Sequence, residues 1–204
     1  MKKVAIREYD RRNSIVFLKT QDAFGGLSNM AAGYNITVND IKIFTSEALY
    51  QSCRFPHRPD VQRLILAQTS PMTAKMRSKP FRDESRPDWL RVRVRIMSWC
   101  IKAKLIQNFE KFSTLLESTG DFPIVEQSRK DQFWGATPLD DHRLVGANVL
   151  GRLLMELREN IRLGDLNATE LCPLDIPDFY LLGMPINKIS YREIEPLSHM
   201  GELF

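Results

Sequence analysis

The sequence is poor in the residues that build disulfide frameworks and metal centres. It holds three cysteines among 204 residues, and Cys53, Cys100 and Cys172 lie far apart with no CxxC pair. The three histidines are equally scattered. An odd number of separated cysteines predicts reduced thiols, as in a cytoplasmic protein, and argues against a disulfide framework or a zinc site. We therefore expect no metal and no cofactor.

Long apolar runs are missing too. No stretch approaches the roughly 18 apolar residues of a membrane-spanning helix, and the N-terminus lacks the apolar segment of a signal peptide. Gly25-Gly26 has no predicted strand before it or helix after it, so it is not a phosphate-binding glycine loop. These features predict a cytoplasmic protein with no membrane contact.

Charge is distributed unevenly along the chain. Residues 1–161 carry 26 Lys and Arg against 18 Asp and Glu, whereas residues 162–204 carry 3 against 7. Residues 71–111 alone hold 11 basic and 4 acidic side chains. A basic body favours a polyanionic partner such as nucleic acid, or a small phosphorylated molecule. A solvated basic face explains the same counts, so both interpretations stay open.

The pattern of apolar residues predicts an α+β fold that is mostly helical. Short strands are expected within residues 3–19. A hairpin is expected at Tyr34–Val38 and Ile41–Phe44, with Asn39-Asp40 as its turn. A further strand is expected at Pro123–Gln127, before a polar loop.

Helix signals recur through the middle of the chain. Helices are expected at Asp60–Gln68, from Ser70-Pro71 onward, from Trp89 to beyond Ile106, at Glu110–Ser118 and at Gly146–Asn160. Asp88 is the expected N-cap of the longest helix. Apolar residues at steps of three and four predict a buried stripe on that helix: Trp89, Val92, Ile96, Trp99, Ala103 and Ile106.

Length and composition predict one domain over residues 1–161, followed by an acidic extension over residues 162–204. The extension loses the helical period. It is expected either to pack on the domain or to serve as a docking segment for a basic partner.

Thr45–Phe55 is the stretch with the clearest chemical potential. Thr45 or Ser46 is a suitable N-cap, and Glu47 then falls in the first turn of the helix. Glu47, Gln51 and Arg54 recur at i, i+4 and i+7, so one face carries a carboxylate, an amide and a guanidinium. An ordinary capped surface helix has the same pattern, and these residues alone do not decide between the two.

The remaining candidates lie far along the chain. Phe133 and Trp134 occupy a loop beside Asp131, where they either cover a core edge or stack on a nucleobase. Trp89 is a second stacking candidate, although its place in the apolar stripe is equally consistent with burial. Asn148 either binds a sugar hydroxyl or phosphate at a helix start or simply meets solvent. A lysine, with Lys75 the candidate, offers a Schiff-base route at the anomeric carbon.

Nine short segments, in order over about residues 24–160, resemble the NADAR superfamily, which includes a YbiA-like branch. The segments are Leu27-Ser28-Asn29-Met30; Thr45-Ser46-Glu47 through Gln51 and Phe55; Ser70-Pro71-Met72 with Ala74-Lys75; Arg86-Pro87-Asp88-Trp89; Lys104 with Gln107-Asn108; Thr119-Gly120-Asp121; Ile124-Val125-Glu126; Asp131 with Phe133-Trp134-Gly135; and Gly146-Ala147-Asn148-Val149-Leu150-Gly151.

The resemblance implies a compact, mostly helical α+β domain that cleaves N-glycosidic bonds to ribose-type sugars. One branch of the family acts on phosphorylated pyrimidine intermediates of riboflavin synthesis. Another branch removes ADP-ribose from guanine bases of nucleic acid, and some of its members are antitoxins to DarT-like DNA ADP-ribosyltransferases.

The resemblance also suggests which residues form the site. In the family pattern Glu47 is the expected catalytic position, while Trp89, Asp131, Trp134 and Asn148 shape the pocket. The chemistry of the residues adds Asp131 as a second carboxylate and Lys75 as a nucleophile, so the predicted catalytic residues are Glu47, Lys75 and Asp131. The predicted substrate-binding residues are Asn29, Gln51, Arg54, Trp89, Phe133, Trp134, Gly135 and Asn148.

Two departures from the family pattern bear on the substrate. The YbiA-like branch tends to have His after the glutamate, where this sequence has Ala48, and Lys is common where it has Arg54. The first favours the guanine-directed branch, and the second makes Arg54 a phosphate ligand rather than a nucleophile.

We therefore predict an ADP-ribosylguanine hydrolase acting on DNA or guanosine, with a DarT-like toxin as its possible partner. The alternatives are a YbiA-like N-glycosidase and a non-catalytic module that binds ADP-ribose or a toxin.

Overall fold

The computed structural model of the protein describes residues 4–164 and 170–190. Short strands surround a group of helices, so the predicted α+β, mostly helical fold is confirmed. Within the described residues, no helix combines the length and the apolar composition needed to cross a membrane.

Two short strands begin the chain without pairing with each other. They are β1 (Arg7–Asp10) and β2 (Ile15–Phe17), and a 3-10 turn at Arg11–Asn13 separates them. The Asp10 carboxylate caps this turn by accepting from the Arg12 backbone N–H at 2.9 Å. The two strands therefore diverge to different partners later in the chain.

The predicted hairpin is confirmed. It consists of β3 (Ile36–Val38) and β4 (Ile41–Ile43), which pair antiparallel. Asn39 and Asp40 both have positive φ, 49° and 62°, as a two-residue hairpin turn requires. The hairpin delivers the chain directly to the first helix.

Three short helices follow and pack together, each beginning where the sequence predicts a helix start. They are α1 (Ser46–Ser52), α2 (Pro59–Leu66) and α3 (Pro71–Ser78), with α1 packed against both of the others. Proline opens α2 and α3, where its missing N–H costs nothing. A 3-10 segment, Lys79–Glu84, leads away from α3.

The longest helix, α4 (Trp89–Gln107), crosses the centre of the molecule, and α5 (Phe109–Glu117) follows it. All six residues of the predicted stripe on α4 are buried. Asp88 holds the N-cap position of α4, as predicted, but its side chain makes no capping hydrogen bond. Its carboxylate pairs instead with the Arg86 guanidinium, with Nε and Oδ1 2.6 Å apart.

The segment after α5 forms a platform of short strands. It contains β5 (Ile124–Glu126), β6 (Thr137–Pro138) and β7 (Arg143–Gly146). β5 pairs parallel with β2, while β1, β7 and β6 form a three-stranded sheet. The loop predicted at Ser128–Arg143 thus contains β6 and ends where β7 begins.

The last helix, α6 (Val149–Arg162), starts three residues later than the predicted Gly146. Gly146 is still in β7, opposite Arg7, so it cannot be helical. Asn148 therefore holds the N-cap position, in the left-handed conformation with φ of 47°, and not a first-turn position.

The C-terminal residues that the structure describes, 170–190, lie against the helices. They hold four two-residue strands: β8 (Glu170–Leu171), β9 (Tyr180–Leu181), β10 (Met184–Pro185) and β11 (Ile189–Ser190). Phe179, Leu181, Ile186 and Ile189 are buried in the main core, and the Trp99 indole donates to the Cys172 carbonyl at 2.9 Å. The exact boundary between domain and extension stays a prediction, and residues 165–169 and 191–204 of that extension lie outside the described residues.

Candidate functional site

The start of α1 is fixed by hydrogen bonds to a distant loop. The Thr45 hydroxyl accepts from the Ala48 backbone N–H at 3.2 Å, as predicted for an N-cap. The Glu47 backbone N–H donates to the Asn29 carbonyl at 3.1 Å, and the Ser46 hydroxyl donates to the same residue. Asn29, predicted to bind substrate, therefore holds the helix start in place. It also lines a cavity that opens beside Glu47.

Glu47 is a buried carboxylate, only 5% exposed. Gln51, one helical turn later, donates its amide to Glu47 Oε1 at 2.9 Å. The Ser78 hydroxyl lies 3.1 Å from Gln51 Oε1, which keeps the amide nitrogen directed at Glu47. Glu47 and Gln51, predicted to share one face of α1, therefore belong to a hydrogen-bonded chain that begins at Ser78 on α3 and ends at the Glu47 carboxylate.

Lys75 approaches the same carboxylate from α3. Its Nζ lies 3.9 Å from Glu47 Oε1, and its side chain is partly exposed toward the cavity. The structure therefore brings together two of the three predicted catalytic residues. The ammonium is placed to offset the negative charge of Glu47.

A cavity of about 520 Å³ opens above these groups. It lies between α1, α3, α4 and the loop that follows β5. Eight of the predicted site residues line it: Asn29, Glu47, Gln51, Arg54, Lys75, Trp89, Asp131 and Trp134. Its volume is in the range of small-molecule sites.

Aromatic rings form one wall of the cavity. Tyr50 lies between Trp89 and Trp134, with ring centroids 5.0 Å and 5.6 Å away. Trp89 is 7% exposed, so it is buried in the core, and it also lines the cavity. Its stacking on a base stays a prediction. The wall offers an apolar surface on which a planar base can rest.

Three guanidinium groups lie beside the aromatic wall: Arg54, Arg82 and Arg93. Burial lowers the pKa of Arg54, and Arg82 and Arg93 lower it further by repulsion. Arg54 donates to the Ser85 hydroxyl at 2.5 Å, and its guanidinium carbon lies 5.2 Å from the Trp89 ring centroid. No carboxylate pairs with these three groups among the described residues, so the cluster suits an anionic ligand such as a phosphate.

Asp131 is exposed at the cavity rim. Its Oδ1 accepts from the backbone N–H groups of Phe133 and Trp134, each at 2.9 Å. The carboxylate thereby shapes the turn that presents Trp134 to the cavity. This arrangement makes Asp131 a loop-ordering residue in the structure.

Three predicted substrate-binding residues do not line the cavity: Phe133, Gly135 and Asn148. The guanidinium carbon of Arg93 lies 3.7 Å from the centroid of the Phe133 ring, and this cation–π contact orients Arg93. A Cβ on Gly135 would lie 2.4 Å from the Glu126 carbonyl oxygen, so glycine is required by close backbone packing. Asn148 is fully buried, and its amide bonds the β5 backbone.

Sequence reasoning missed Glu126, Tyr50, Arg82 and Arg93, all of which line the cavity. Burial raises the pKa of Glu126 to about 7, and the nearby Glu47 carboxylate contributes to the rise. Glu126 is part of the Ile124-Val125-Glu126 segment of the resemblance, and that segment is the signal that could have identified it. Arg93 lies between the buried and exposed faces of α4, where periodicity gives no clear indication.

No group of three or more His, Cys, Asp or Glu that could hold a metal ion occurs in the described part of the chain. The described cysteines are free thiols, with Cys53 and Cys100 buried and Cys172 exposed. The side chains that line the cavity supply carboxylates, two lysines, guanidinium groups and aromatic rings.

A family model described as the NADAR domain matches residues 16–162, which include every cavity residue named above. The chain belongs to the NADAR domain family. This finding confirms the family resemblance, while its placement in the guanine-directed branch stays a prediction.

Relatives of this NADAR chain carry informative names. N-glycosidase YbiA of Escherichia coli (strain K12) is 33% identical over 150 residues, which cover 72% of this chain and 88% of that protein. Riboflavin biosynthesis protein VVA0006 of Vibrio vulnificus (strain YJ016) is 31% identical over 159 residues, or 76% of this chain. The match covers only 41% of that longer protein.

A solved structure has the same fold. The NMR structure of the E. coli protein YbiA matches this NADAR chain with a TM-score of 0.64 at 30% sequence identity. The match covers 76% of this chain and 89% of that one.

Proposed function

We propose that the protein is an N-glycosidase that hydrolyses the bond between a base nitrogen and C1 of a phosphorylated ribose. The observation that carries the proposal is the buried Glu47 carboxylate, which shares one cavity with an aromatic wall and three guanidinium groups. Each part of such a substrate has a counterpart: the base on the rings, the phosphate on the guanidinium groups, and the sugar near Glu47.

The chemistry of N-glycoside cleavage explains the need for a carboxylate. As the C1–N bond lengthens, positive charge develops on the sugar, in an oxocarbenium-like transition state. Glu47, oriented by Gln51 and partly shielded from water, is placed to stabilise that charge and to accept a proton from the attacking water. Electrostatic stabilisation of this kind is strong in a site with little water.

Relatives support the reaction class. The name of YbiA describes an N-glycosidase, and two relatives, from V. vulnificus and Zea mays, are named as riboflavin biosynthesis proteins. These names favour a small phosphoribosyl pyrimidine intermediate as one substrate of this chain.

The first substrate we propose is ADP-ribosylated guanine, in DNA or as guanosine, with the protein acting as antitoxin to a DarT-like transferase. Ala48 in place of the histidine of the YbiA-like branch supports this choice, as does the basic excess over residues 71–111. The second is the phosphoribosyl pyrimidine, which the names of the relatives favour. Three guanidinium groups suit a pyrophosphate or a single phosphate equally well.

The experiment that tests the proposal offers the purified protein both substrates in parallel. One arm measures ADP-ribose released from ADP-ribosylated guanosine and DNA, and the other measures base released from a phosphoribosyl aminopyrimidine. Release in either arm supports the N-glycosidase and identifies its substrate. Binding of ADP-ribose without release in either arm would contradict catalysis and favour the binding module.

A further inference from the structure

A second carboxylate, Glu126, lines the same cavity as Glu47 but comes from a different element, the end of β5. We propose that Glu126 is the catalytic acid, donating a proton to the base as it leaves; this assignment rests on the proposed N-glycosidase function. No side-chain hydrogen bond occupies its carboxyl group among the described residues, so the proton is available to a bound substrate.

The backbone around Glu126 is held more tightly than a strand end requires. Its N–H donates to Asn148 Oδ1 at 3.2 Å, and its carbonyl accepts from the Ala136 N–H at 2.8 Å. The Asn148 amide donates to the Ile124 carbonyl at 2.8 Å, so one side chain bonds the backbone of both the first and the last residue of β5. Gly135 lets its own loop pass directly over the Glu126 carbonyl.

These contacts give new roles to two residues that the sequence predicted to bind substrate. Asn148 and Gly135 touch the backbone that carries Glu126 and do not line the cavity. They are positioning residues, which act by holding the Glu126 carboxyl toward the base. Such tight fixing of an acid is what proton transfer to a leaving group needs.

The charged surroundings of Glu126 favour its protonated form. Glu47 on α1 and Asp131 on the loop after β5 repel its negative charge, whereas Lys75 on α3 attracts it. Five further cations line the cavity. Lys19 follows β2, which pairs with β5, Arg129 lies three residues beyond Glu126, and the other three are Arg54, Arg82 and Arg93. Partial burial and the two carboxylates prevail over Lys75, and together they raise the pKa of Glu126 to about 7.

The step balances with water as the only co-reactant. The C1–N bond breaks and its electron pair stays on the base nitrogen, while the Glu126 carboxyl transfers its proton to the base. Water oxygen bonds to C1, and its proton passes to Glu47. A proton returned from Glu47 to Glu126 through solvent restores both groups, and the products are the free base and the sugar.

The decisive variant is Glu126→Gln, which keeps the shape of the side chain but cannot donate the acidic proton. We expect kcat to fall about 100-fold or more, with KM changed by less than about threefold. Wild-type kcat should also decline above about pH 7, as Glu126 loses its proton, and the variant should lack that decline. Glu117→Gln, on the exposed surface of α5, is the matched control and should behave as wild type.

A substrate that needs no leaving-group proton separates an acid from a merely structural residue. A nicotinamide riboside phosphate releases a neutral base, so Glu126→Gln should cleave it at the wild-type rate. Glu126→Asp, which keeps an acidic group, should retain the decline at alkaline pH. Carbon-13 NMR of the Glu126 carboxyl should show its titration near pH 7 without any substrate.

The outcomes distinguish the two proposals. A wild-type protein that cleaves no N-riboside contradicts the proposed function. An active wild type whose Glu126→Gln variant keeps its kcat and its alkaline decline contradicts only the assignment of Glu126. The assignment would also be overturned if Glu126→Gln lost kcat equally on the nicotinamide riboside phosphate and on the substrate whose base needs a proton.

Discussion

One carboxylate oxygen of Glu47 accepts a hydrogen bond from the Gln51 amide at 2.9 Å, and the Lys75 ammonium lies 3.9 Å from the same oxygen. This pairing bears on the Schiff-base route that the sequence leaves open. We infer that Lys75 balances the charge of Glu47 and that water is the nucleophile.

We predict that Lys75→Arg retains at least about a tenth of wild-type kcat, because the cation beside Glu47 is preserved. Borohydride added during turnover should trap no covalent adduct on the wild-type protein, as measured by intact mass. Lys79→Arg, on the 3-10 segment after α3, controls for the substitution itself. A trapped sugar adduct on Lys75, together with an inactive Lys75→Arg, would establish the covalent route instead.

The unusual pKa of Glu126 should be visible in stability. Its pKa rises from an ordinary value near 4.5 to about 7 in the folded protein. Below about pH 4.5 both states hold the proton; as pH rises toward 7 the unfolded chain releases it first, so folding stability is lost over that interval. Between pH 5 and pH 8, we expect the free energy of unfolding of the wild type to fall by about 2–3 kcal/mol more than that of Glu126→Gln. Urea unfolding of both proteins at the two pH values tests this, and parallel pH dependence would contradict it.

Among the secondary-structure elements, the junction of β7 and α6 has the greatest consequence for the site. Asn148 combines a left-handed backbone with two side-chain bonds to β5. We predict that Asn148→Ala lowers the free energy of unfolding by about 2–4 kcal/mol. The substitution leaves the Glu126 N–H and the Ile124 carbonyl without their partner and places alanine in a left-handed conformation.

Asn148→Gly provides the matched control for that prediction. Glycine adopts the left-handed conformation freely, so it should be about 1 kcal/mol less destabilising than alanine while losing the same bonds. Chemical denaturation measures both variants. Equal stability of Asn148→Gly and wild type would show that the two bonds to β5 contribute nothing.

Local signals predicted the elements that depend on local chemistry. Thr45, Asn39-Asp40 and Pro71 identified a helix cap, a hairpin turn and a helix start, because each acts within a few residues of itself. β7 was missed because only four residues form it, its partner β1 lies more than 130 residues away in sequence, and its nearby partner β6 has only two residues. Arg86, which pairs with Asp88, also donates to the Pro177 carbonyl at 2.5 Å, a contact that joins residues about 90 apart and that local patterns do not reveal.

For the molecule as a whole, the C-terminal segment is tied to the helices by buried polar contacts. Gln62 on α2 is fully buried: its amide nitrogen donates to the Ser52 and Tyr180 carbonyls, and its oxygen accepts from the Leu182 N–H at 2.6 Å. We predict that Gln62→Ala destabilises the protein by about 2–4 kcal/mol, because it leaves buried partners unsatisfied.

Gln68→Ala is the control for this prediction, since Gln68 follows the same helix but bonds only within it. It should change stability by less than about 1 kcal/mol. Thermal unfolding monitored by circular dichroism compares the two. Indistinguishable unfolding of both variants would mean that the described C-terminal segment adds nothing to the fold.

The site was predictable in part because its carboxylate begins a recognisable helix. Eight predicted residues line the cavity, from Asn29 to Trp134. Asn148 and Gly135 were predicted to bind substrate, but the structure leaves both outside the cavity lining. Glu126, Tyr50 and Arg93 could not be assigned to a common site from local patterns, because α1, α4 and β5 meet only in the folded chain.

The central claim is that this cavity cleaves an N-glycosidic bond with Glu47 as its essential carboxylate. The most direct test measures base or ADP-ribose release by wild type and Glu47→Gln, on ADP-ribosylated guanosine and on a phosphoribosyl aminopyrimidine. The account predicts turnover of one substrate by wild type and a loss of about 100-fold or more in kcat for the folded variant. Equal turnover by both proteins, or none by wild type on either substrate, would contradict it.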